Sequence, residues 1–488
     1  MSETTISHVH FGTSGHRGII GKTFTNDHVK AIAVGIANLF SNDNQPTLII
    51  GFDPREGNDI NYKKGSFTHT LITNLNNLGV HTLSFDNYIP TPVISWAIQH
   101  FNADGGIILT ASHNPPNYNG IKYNPKNGAP ACEKTTQKIE LVANNYLNNP
   151  YPLTSNKQGV HTKEKAPFQA FCKYLKTSCT LLGLEIPKTF TKPLLVDVKH
   201  GACGALWEYL GKELKLDIQL NHREPRSDFG NIEPNPTKYE HLDTAPPSYY
   251  GSAGNDPDGD RHALKDETGA VITPETLTTI IIDYLCTIQK KPQQLATTLA
   301  SSQLLKTLCQ KQAITFHETC VGFKYFTPFF EQAKQNQQTC IGIESSGGFS
   351  VAHHTFEKCG FLPILCLIII SEQTKKPLSL LKETIEITYG KQYFKEAEFL
   401  FNDNQKTFLQ HYLQTTPKKT LEKTFDVSID AMDSRDGLKL MMGDSWLLCR
   451  LSGTEPIARI YSESPNETKA ANLNTNFHKT LTRIIESI

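Results

Sequence analysis

Short apolar runs alternate with helical stretches along most of the chain. Runs such as Thr47 to Ile50 and Val80 to Phe85 predict strands, and Asp27 to Leu39 and Lys134 to Leu147 predict helices. Strands that alternate with helices in this way are typical of parallel α/β layers. The pattern predicts a first α/β domain in residues 1–155.

The same alternation recurs twice after a segment rich in Pro, Asn, Lys and Thr, Asn148 to Lys165, which we interpret as a linker. It predicts α/β domains in residues 156–268 and 269–388. Their predicted elements are strand Pro193 to Val198, helix Ala205 to Leu214, strand Asp217 to Asn221, helix Pro274 to Leu285, strand Thr339 to Ile343 and helix Leu362 to Ser371.

The composition changes near Tyr389, and residues 389–488 predict a smaller α+β domain. Its predicted strands are Phe425 to Asp430, Gly437 to Met442 and Trp446 to Leu451. A chain of 488 residues is too long for one hydrophobic core. We therefore predict four domains, three α/β domains with mixed sheets and a C-terminal α+β domain, which face one central cleft.

The balance of acidic and basic residues argues against binding to a highly charged polymer or surface. Lys and Arg together number 48, as do Asp and Glu, so no overall field favours nucleic acid or an anionic membrane. The eleven cysteines are scattered singly, which is typical of reduced thiols in the cytoplasm. The N-terminus lacks a basic segment followed by an apolar one, and Phe361 to Ile370 is too short to span a bilayer. We expect a cytoplasmic protein.

The segment Thr110-Ala111-Ser112-His113-Asn114-Pro115 carries the first candidate chemistry. The preceding run Gly105 to Thr110 predicts a buried strand, so Ser112 would lie in the loop at the carboxyl end of that strand. Open α/β sheets bind their ligands at this edge. Ser112 is therefore a candidate nucleophile, although an ordinary polar turn is the simpler alternative.

The segment Asp256-Pro257-Asp258-Gly259-Asp260-Arg261 places three carboxylates at alternate positions. If the segment is extended, the three side chains point the same way and can converge on one cation. Mg²⁺ prefers such oxygen ligands and often takes another from a phosphate. Asp256, Asp258 and Asp260 are therefore the predicted metal ligands, and a phosphorylated Ser112 would complete the site.

Three other motifs partly match segments of the sequence. An EF-hand loop starting at Asp256 would place Glu267 correctly, but Arg261 stands where glycine is needed. In an aspartyl-nucleophile loop of haloacid-dehalogenase-like phosphatases Asp256 would be the covalent carrier, but the preceding Tyr249 to Gly254 is only weakly apolar. A P-loop ending in Gly21-Lys22-Thr23 lacks its first glycine.

Two further loops have ligand-binding character. Gly342 to Gly348 combines flexible glycines with Glu344 and two serines, groups that suit sugar hydroxyls. Arg450 to Pro456 offers a guanidinium for bidentate contact with phosphate. The other phosphate-binding groups predicted in or beyond this loop are Ser452, Gly453, Thr454 and Arg459.

These loops resemble those of the α-D-phosphohexomutase superfamily, in the family's order and one per domain. The resemblance implies Ser112 as the phosphoserine, the Asp256 to Asp260 segment as the Mg²⁺ loop, Glu344 and Ser346 as sugar contacts, and Arg450 with its loop as the site of the phosphate that is not transferred. The Phe11 to Gly18 segment matches the family's opening motif and places Arg17 over the phosphoserine.

The resemblance also assigns supporting roles. Lys122 would be the general acid or base with His113 as its assistant, Arg261 would steady the phosphoserine with Arg17, and His262 and Lys324 would contact substrate. Within the superfamily the motifs look most like those of bacterial phosphoglucomutases. This implies interconversion of α-D-glucose 1-phosphate and glucose 6-phosphate, with glucose 1,6-bisphosphate as intermediate.

Several departures leave alternatives open. The chain between Leu242 and Gly251 is short for the family's crossover helix, Ser345 replaces a second acid, and Cys359 interrupts a Lys-Asp-Gly pattern. A phosphomannomutase, a dual-specificity phosphohexomutase and a non-catalytic sugar-phosphate-binding paralogue remain possible functions. Sugar phosphates are the expected partners, and the sequence leaves open whether the protein is a monomer or a dimer.

Overall fold

The structure is a computed structural model that describes residues 7–40, 45–155, 157–452 and 456–486. Four β-sheets follow one another along these ranges, with seven, five, four and five strands. The first three contain parallel and antiparallel pairs, and the fourth is antiparallel throughout. The predicted class, three mixed α/β units followed by a smaller α+β unit, is confirmed.

The first sheet has the strand order β1-β2-β6-β5-β3-β4-β7. Its strands are β1 (Phe11–Gly12), β2 (Gly15–Ile19), β3 (Thr47–Phe52), β4 (His81–Phe85), β5 (Gly105–Leu109), β6 (Tyr118–Pro125) and β7 (His161–Glu164). Its helices are α1 (Asn26–Ala37), α2 (Phe67–Asn77), α3 (Thr91–His100) and α4 (Glu133–Asn148).

The prediction that Asn148 to Lys165 is only a linker is wrong, because this segment contains strand β7. Residues 161–164 pair in parallel with β4 at the edge of the first sheet, so the segment after α4 returns to the first unit before the chain moves on. The strand is short and mostly exposed, with the sequence His-Thr-Lys-Glu, and it therefore lacks the apolar signal on which a strand prediction depends.

The second sheet has the order β12-β11-β10-β8-β9. Its elements are α5 (Phe168–Leu181), β8 (Leu194–Asp197), α6 (Gly204–Leu214), β9 (Ile218–Asn221), β10 (Gly251–Asn255), β11 (His262–Asp266) and β12 (Val271–Ile272). The fully described connection from β9 to β10 contains two 3₁₀ turns, Phe229–Asn231 and Tyr239–His241, and no α-helix. The expected loss of the crossover helix is confirmed.

The third sheet has the order β14-β13-β15-β16. Its elements are α7 (Pro274–Thr287), β13 (Gln294–Thr298), α8 (Gln303–Gln312), β14 (Thr315–Thr319), α9 (Thr327–Gln335), β15 (Cys340–Ile343), β16 (Phe349–Val351), α10 (Phe361–Thr374) and α11 (Leu378–Tyr389).

The fourth sheet has the order β17-β21-β20-β19-β18. Its elements are β17 (Tyr393–Leu400), α12 (Asp403–Thr415), α13 (Lys418–Phe425), β18 (Ala431–Asp433), β19 (Leu438–Met442), β20 (Ser445–Leu451), β21 (Ile457–Ser464) and α14 (Glu467–Glu486).

The strand predicted over Phe425 to Asp430 is wrong. Phe425 is the last residue of α13, where its ring stacks on Phe477 of α14 with centroids 4.3 Å apart. Asp426 then ends the helix in the left-handed conformation, with φ 51°. A tertiary contact between two helices therefore partly buries the aromatic residue that the sequence pattern assigned to a strand.

The first three units share one continuous hydrophobic core that includes the nearly fully buried helix α10. The fourth unit has its own core, and a small cluster around Trp446 and Leu299 joins it to the third unit. Among the described helices, none has both the length and the apolar character that crossing a bilayer requires.

Candidate active site

Ser112 lies three residues beyond the end of β5, at the carboxyl edge of the first sheet, as predicted. It is buried and left-handed, with φ 53°. Its hydroxyl donates to Asp256 Oδ2 over 2.7 Å, and His113 Nδ1 lies 3.3 Å from Ser112 Oγ. The candidate nucleophile therefore faces the predicted metal loop of the second unit.

Asp256, Asp258 and Asp260 converge, but not through an extended segment. Residues 256–260 form a turn between β10 and β11, in which Gly259 adopts φ 71°. One carboxylate oxygen from each aspartate lies within 4.8 Å of the others. The predicted convergence is confirmed, and a turn rather than strand alternation produces it.

The donor set fits a hard divalent cation such as Mg²⁺. All three aspartates are buried, and among the described residues Oδ1 of Asp258 and Oδ1 of Asp260 have no hydrogen-bond partner. Burial, together with the charges of Asp258 and Asp260, raises the pKa of Asp256 well above its usual range. A bound cation would relieve this repulsion and use the unpartnered oxygens.

Two lysines enter the aspartate cluster from other units. Lys122 Nζ, on β6, lies 2.5 Å from Asp258 Oδ2 and 2.7 Å from Asp260 Oδ2. Lys358 Nζ lies 3.0 Å from Asp260 Oδ2. Burial opposes ionisation of Asp260, but these ammonium groups hold its pKa well below its usual range. Burial also opposes the charge on Lys122, yet Asp258 and Asp260 raise its pKa, so Lys122 is protonated near neutral pH.

Three arginines from different units surround His113. Burial and the positive charges of Arg261, Arg17 and Arg459 hold the pKa of His113 well below its usual range, so the imidazole is neutral. Arg17 also donates to Asn114 Oδ1, over 2.5 Å. His113, Arg261 and Arg459 line a cavity of about 1000 Å³ to which all four units contribute. Such a concentration of positive charge suits a phosphate.

The Gly342 to Gly348 loop is held against the metal loop. The imidazole of His262 is buried and lies with Nδ1 2.7 Å from the carbonyl oxygen of Gly347. Burial lowers the pKa of His262 to about 4, so the ring is neutral. Glu344 is buried at the turn, and Ser346 lines the cavity. His262 therefore orients the loop, whereas Ser346 faces the space that a substrate can enter.

Two predicted substrate contacts are engaged with acidic neighbours. Lys324 Nζ lies 3.1 Å from Glu133 Oε1, at the start of α4. Arg450 Nε donates to both carboxylate oxygens of Asp436, over 2.9 and 2.8 Å. Arg459 faces Arg450 across the β20–β21 pair.

Ser452 precedes the part of the predicted phosphate loop that the structure does not describe, and its amide donates to the Ile457 carbonyl over 2.8 Å. Gly453 and Thr454 lie outside the described residues.

Sequence reasoning missed Asp53 and Arg55, which contact the Ser112 loop, and it mentioned Lys358 only within an interrupted motif. A signal for the first two was present. Asp53-Pro54-Arg55 directly follows β3, which ends at Phe52, at the sheet edge where ligands bind. The sequence signal for Lys358 was its place in Lys358-Cys359-Gly360, the segment that departs from the family's Lys-Asp-Gly pattern.

One argument against the aspartyl-nucleophile loop was wrong. Strand β10 (Gly251–Asn255) is fully buried and ends directly before Asp256, although its small residues gave a weak apolar signal. The hydrogen bond between Ser112 and Asp256 places both candidate phosphoryl carriers in the same site.

Family models match three parts of the chain. They describe phosphoglucomutase/phosphomannomutase α/β/α domain I at residues 8–149, α/β/α domain III at residues 273–388 and the C-terminal domain at residues 413–479.

Similar proteins match over nearly the full length. The phosphoglucomutase/phosphomannomutase of Thermococcus kodakarensis is 27% identical, covering 94% of this chain and 95% of that protein. The phosphoglucosamine mutase of Bacillus cytotoxicus is also 27% identical, covering 94% and 95%. The solved structure of a phosphoglucomutase/phosphomannomutase family protein from Burkholderia thailandensis superposes with a TM-score of 0.76 at 20% identity, covering 98% of each chain.

The three matched domains occur in the family's order, and the four sheets surround the serine, aspartate and arginine groups described above. The chain therefore belongs to the α-D-phosphohexomutase superfamily, whose members are isomerases that transfer a phosphoryl group within a sugar phosphate.

Proposed function

We propose that the protein is a phosphoglucomutase that interconverts α-D-glucose 1-phosphate and glucose 6-phosphate through a phosphorylated Ser112 and glucose 1,6-bisphosphate. The observation that carries the proposal is the meeting of three groups in one cleft. The Ser112 hydroxyl lies 2.7 Å from the aspartate cluster, and a cavity of about 1000 Å³, lined in part by arginines, opens beside it.

The reaction exchanges one phosphorus–oxygen bond for another. The bond between phosphorus and Ser112 Oγ breaks as the bond to the free sugar hydroxyl forms, and the proton that the sugar hydroxyl loses is balanced by the proton that Ser112 Oγ gains. The bisphosphate then turns and returns its other phosphoryl group to Ser112. Phosphoryl transfer is catalysed mainly by positioning and charge neutralisation, which the four-unit cleft provides.

Two sets of groups near Ser112 would neutralise the charge of the phosphoryl group. Asp256, Asp258 and Asp260 would hold Mg²⁺, which when bound offsets charge on the transferring phosphoryl group. Arg17 and Arg261 offer positive charge on the His113 side. The site therefore supports a phosphorylated Ser112 better than a free aspartyl phosphate, since Asp256 belongs to the cation-binding cluster.

Proton transfer involves Lys122 and His113. Because Lys122 is protonated between Asp258 and Asp260, it enters the reaction as an acid and an electrostatic stabiliser. His113 is neutral and lies 3.3 Å from Ser112 Oγ, so it can accept a proton there. When Ser112 attacks the bisphosphate, His113 therefore acts as the base that accepts the Ser112 proton, and Lys122 acts as the acid.

The far phosphate and the sugar contact the third and fourth units in this proposal. Arg450, with Ser452, Gly453, Thr454 and Arg459, binds the phosphate that is not transferred. Glu344 and Ser346 bind sugar hydroxyls, and Lys324 leaves Glu133 to contact substrate.

Two other substrates are the second candidates. Relatives with equal identity are named phosphoglucomutase/phosphomannomutase and phosphoglucosamine mutase, and Ser345 replaces an acid that phosphoglucomutases often carry. The catalytic groups are common to all three reactions, so the sugar loop decides between them. We place the activity in the cytoplasm, because all eleven cysteines carry free thiols.

A substrate panel tests the proposal. Turnover of α-D-glucose, mannose and glucosamine 1-phosphates would be measured in coupled assays with Mg²⁺ and glucose 1,6-bisphosphate. The highest kcat/KM on glucose 1-phosphate supports the proposal, and a higher value on another sugar reassigns the substrate. No turnover on any of the three, with sugar phosphates still bound in calorimetry, would identify a non-catalytic paralogue.

A further inference from the structure

The backbone of Ser112 requires support that the mechanism has not yet supplied. Its φ of 53° lies in the left-handed region, which is unfavourable for a residue with a side chain. Asn and Gly accept this conformation more readily, but neither can carry a phosphoryl group. Neighbouring groups must therefore hold Ser112 in this conformation.

Arg55 supplies these contacts with every N–H group of its guanidinium. Nη2 donates to the carbonyl of Ser112 and to that of Asn114 (2.8 Å), and Nη1 donates to the carbonyls of Pro115 (2.8 Å) and Tyr118 (3.0 Å). Nε donates to Asp53 Oδ2 over 3.1 Å. Five donors thus meet five acceptors, of which three are backbone carbonyls of the loop that carries Ser112 and a fourth is that of Tyr118, the first residue of β6.

A second chain of contacts fixes the amide side of the same residue. Asp53 Oδ2 accepts from the Thr110 hydroxyl over 2.6 Å, and Thr110 Oγ1 accepts from the Ser112 amide over 2.8 Å. The carbonyl and the amide of Ser112 are therefore both tied to the Asp53–Arg55 pair, directly or through Thr110. That pair fixes the peptide groups on either side of Ser112 Cα.

The surroundings of Arg55 exclude alternative partners. The side chains of Arg55 and Asp53 are fully buried, and the guanidinium carbon lies 4.7 Å from the ring centroid of Phe229, in the shortened connection of the second unit. A lysine cannot reproduce this pattern, because a single ammonium has three donors and no planar fork. The site thus requires arginine specifically.

We propose that Arg55 is a positioning residue that holds Ser112 in the left-handed conformation in which its hydroxyl faces the aspartate cluster. The inference rests on the proposed function, since it assigns to Arg55 the placement of the phosphoryl carrier. Arg55 acts through the loop backbone, so its loss displaces the reacting oxygen and leaves the groups that bind substrate unchanged. It should therefore affect kcat much more than KM.

The test compares Arg55→Lys with wild type and with Arg223→Lys, an exposed arginine on the surface of the second unit. We expect kcat to fall about 100-fold in Arg55→Lys, the size associated with a misplacement of about 1 Å, with KM for glucose 1-phosphate within about threefold of wild type. Intact-mass measurements should show an equally slow transfer of phosphate from glucose 1,6-bisphosphate to Ser112. Arg223→Lys should match wild type.

A second variant covers the case in which Arg55→Lys does not fold. Thr110→Val removes the hydroxyl that links Asp53 to the Ser112 amide while preserving volume, and it should show the same loss of kcat with little change in KM. If Arg55→Lys folds and keeps the wild-type kcat, the inference is overturned. If Arg55→Lys is unfolded, a wild-type kcat in Thr110→Val overturns it. An increase in KM without a fall in kcat would also overturn it. Failure of the proposed function is distinct, because wild type itself would then show neither turnover nor phosphoserine.

Discussion

The hydroxyl group of Ser112 donates a hydrogen bond to Asp256, and its oxygen is the proposed carrier of the phosphoryl group. We expect Ser112→Ala to abolish mutase turnover, because the proposed reaction passes through a covalent phosphate on this hydroxyl. The substitution should also remove the covalent phosphate that intact-mass analysis detects on part of the wild-type population. Full turnover by Ser112→Ala would exclude Ser112 as the carrier.

Asp256→Asn provides the matched comparison. In the proposed mechanism it weakens metal binding but leaves Ser112 able to carry phosphate, so excess Mg²⁺ should partly restore turnover. An aspartyl-nucleophile enzyme would show the opposite pattern, in which Asp256→Asn is inactive at every Mg²⁺ concentration and Ser112 never carries phosphate.

The aspartate cluster makes turnover dependent on a divalent cation. Three buried carboxylates beside a phosphoserine leave negative charge that Lys122 and Lys358 offset only in part. We expect chelation to abolish turnover and Mg²⁺ to raise the unfolding temperature of wild type but not of Asp258→Asn. Activity that stays within about twofold of the untreated enzyme after exhaustive chelation would contradict the assignment.

At the scale of elements, α7 of the third unit and β21 of the fourth each place a buried carboxyl group along the same cavity. Glu275 lies in the first turn of α7, and Glu463 of β21 accepts from the amide of Gln303 over 2.8 Å and from Trp446 Nε1 over 3.0 Å. Burial, with a contribution from Glu463, raises the pKa of Glu275 from 4.5 to about 7.

This shift predicts a pH dependence of stability. Because the raised pKa lets the folded state keep a proton that the unfolded state releases, the free energy of unfolding should rise as pH falls from about 7 towards 4.5. Glu275→Gln removes the titration, so its stability relative to wild type should be higher at pH 8 than at pH 5, by up to about 3 kcal/mol.

Denaturant unfolding across this pH range is the measurement, and Glu383→Gln on the exposed face of α11 is the control. A difference between Glu275→Gln and wild type that does not change with pH would contradict the prediction.

At the scale of the whole molecule, the fourth unit has a separate core and meets the third through a small apolar cluster and through polar contacts such as that of Lys439 Nζ with Glu318 Oε1, 2.8 Å apart. Arg450 of β20 pairs with Asp436, whose other contact is the amide of Val321 in the third unit, 2.8 Å away. The proposed phosphate-binding group therefore lies where these two units meet.

We expect Arg450→Ala to lower kcat/KM for the sugar monophosphate by at least about 2 kcal/mol, because binding of the far phosphate positions the reacting end. The phosphate on Ser112 should stay intact, and Arg450→Lys should restore only part of the loss. Steady-state kinetics and intact mass measure these effects.

Asp436→Asn is the control, since it keeps the guanidinium and should cost less than Arg450→Ala. Near-normal kcat/KM in Arg450→Ala would remove the proposed phosphate anchor.

The sequence by itself determined most of the elements and the residue types of the site. Apolar runs such as Thr47 to Ile50 predict strands because burial in a sheet selects those residues locally. Ser112, the aspartates and Lys122 could be named in advance because each stands in a short segment with its own chemical character. The strand β10 and the strand β7 escaped prediction because small or polar residues form them, and their pairing comes from distant strands.

Only the tertiary structure decided how these segments meet. Ser112 and Asp256 are separated by 144 positions, and Lys122 and Asp258 by 136, so no local pattern encodes their distances. The roles of Arg55 and Lys358 likewise depend on partners from other segments. Phe425 lies in α13 rather than in the predicted strand, and its packing partner is Phe477, which is far along the chain and leaves no local signal. The hydrophobic periodicity of the sequence indicates which residues are buried, whereas the packing of whole units decides which of them are in contact.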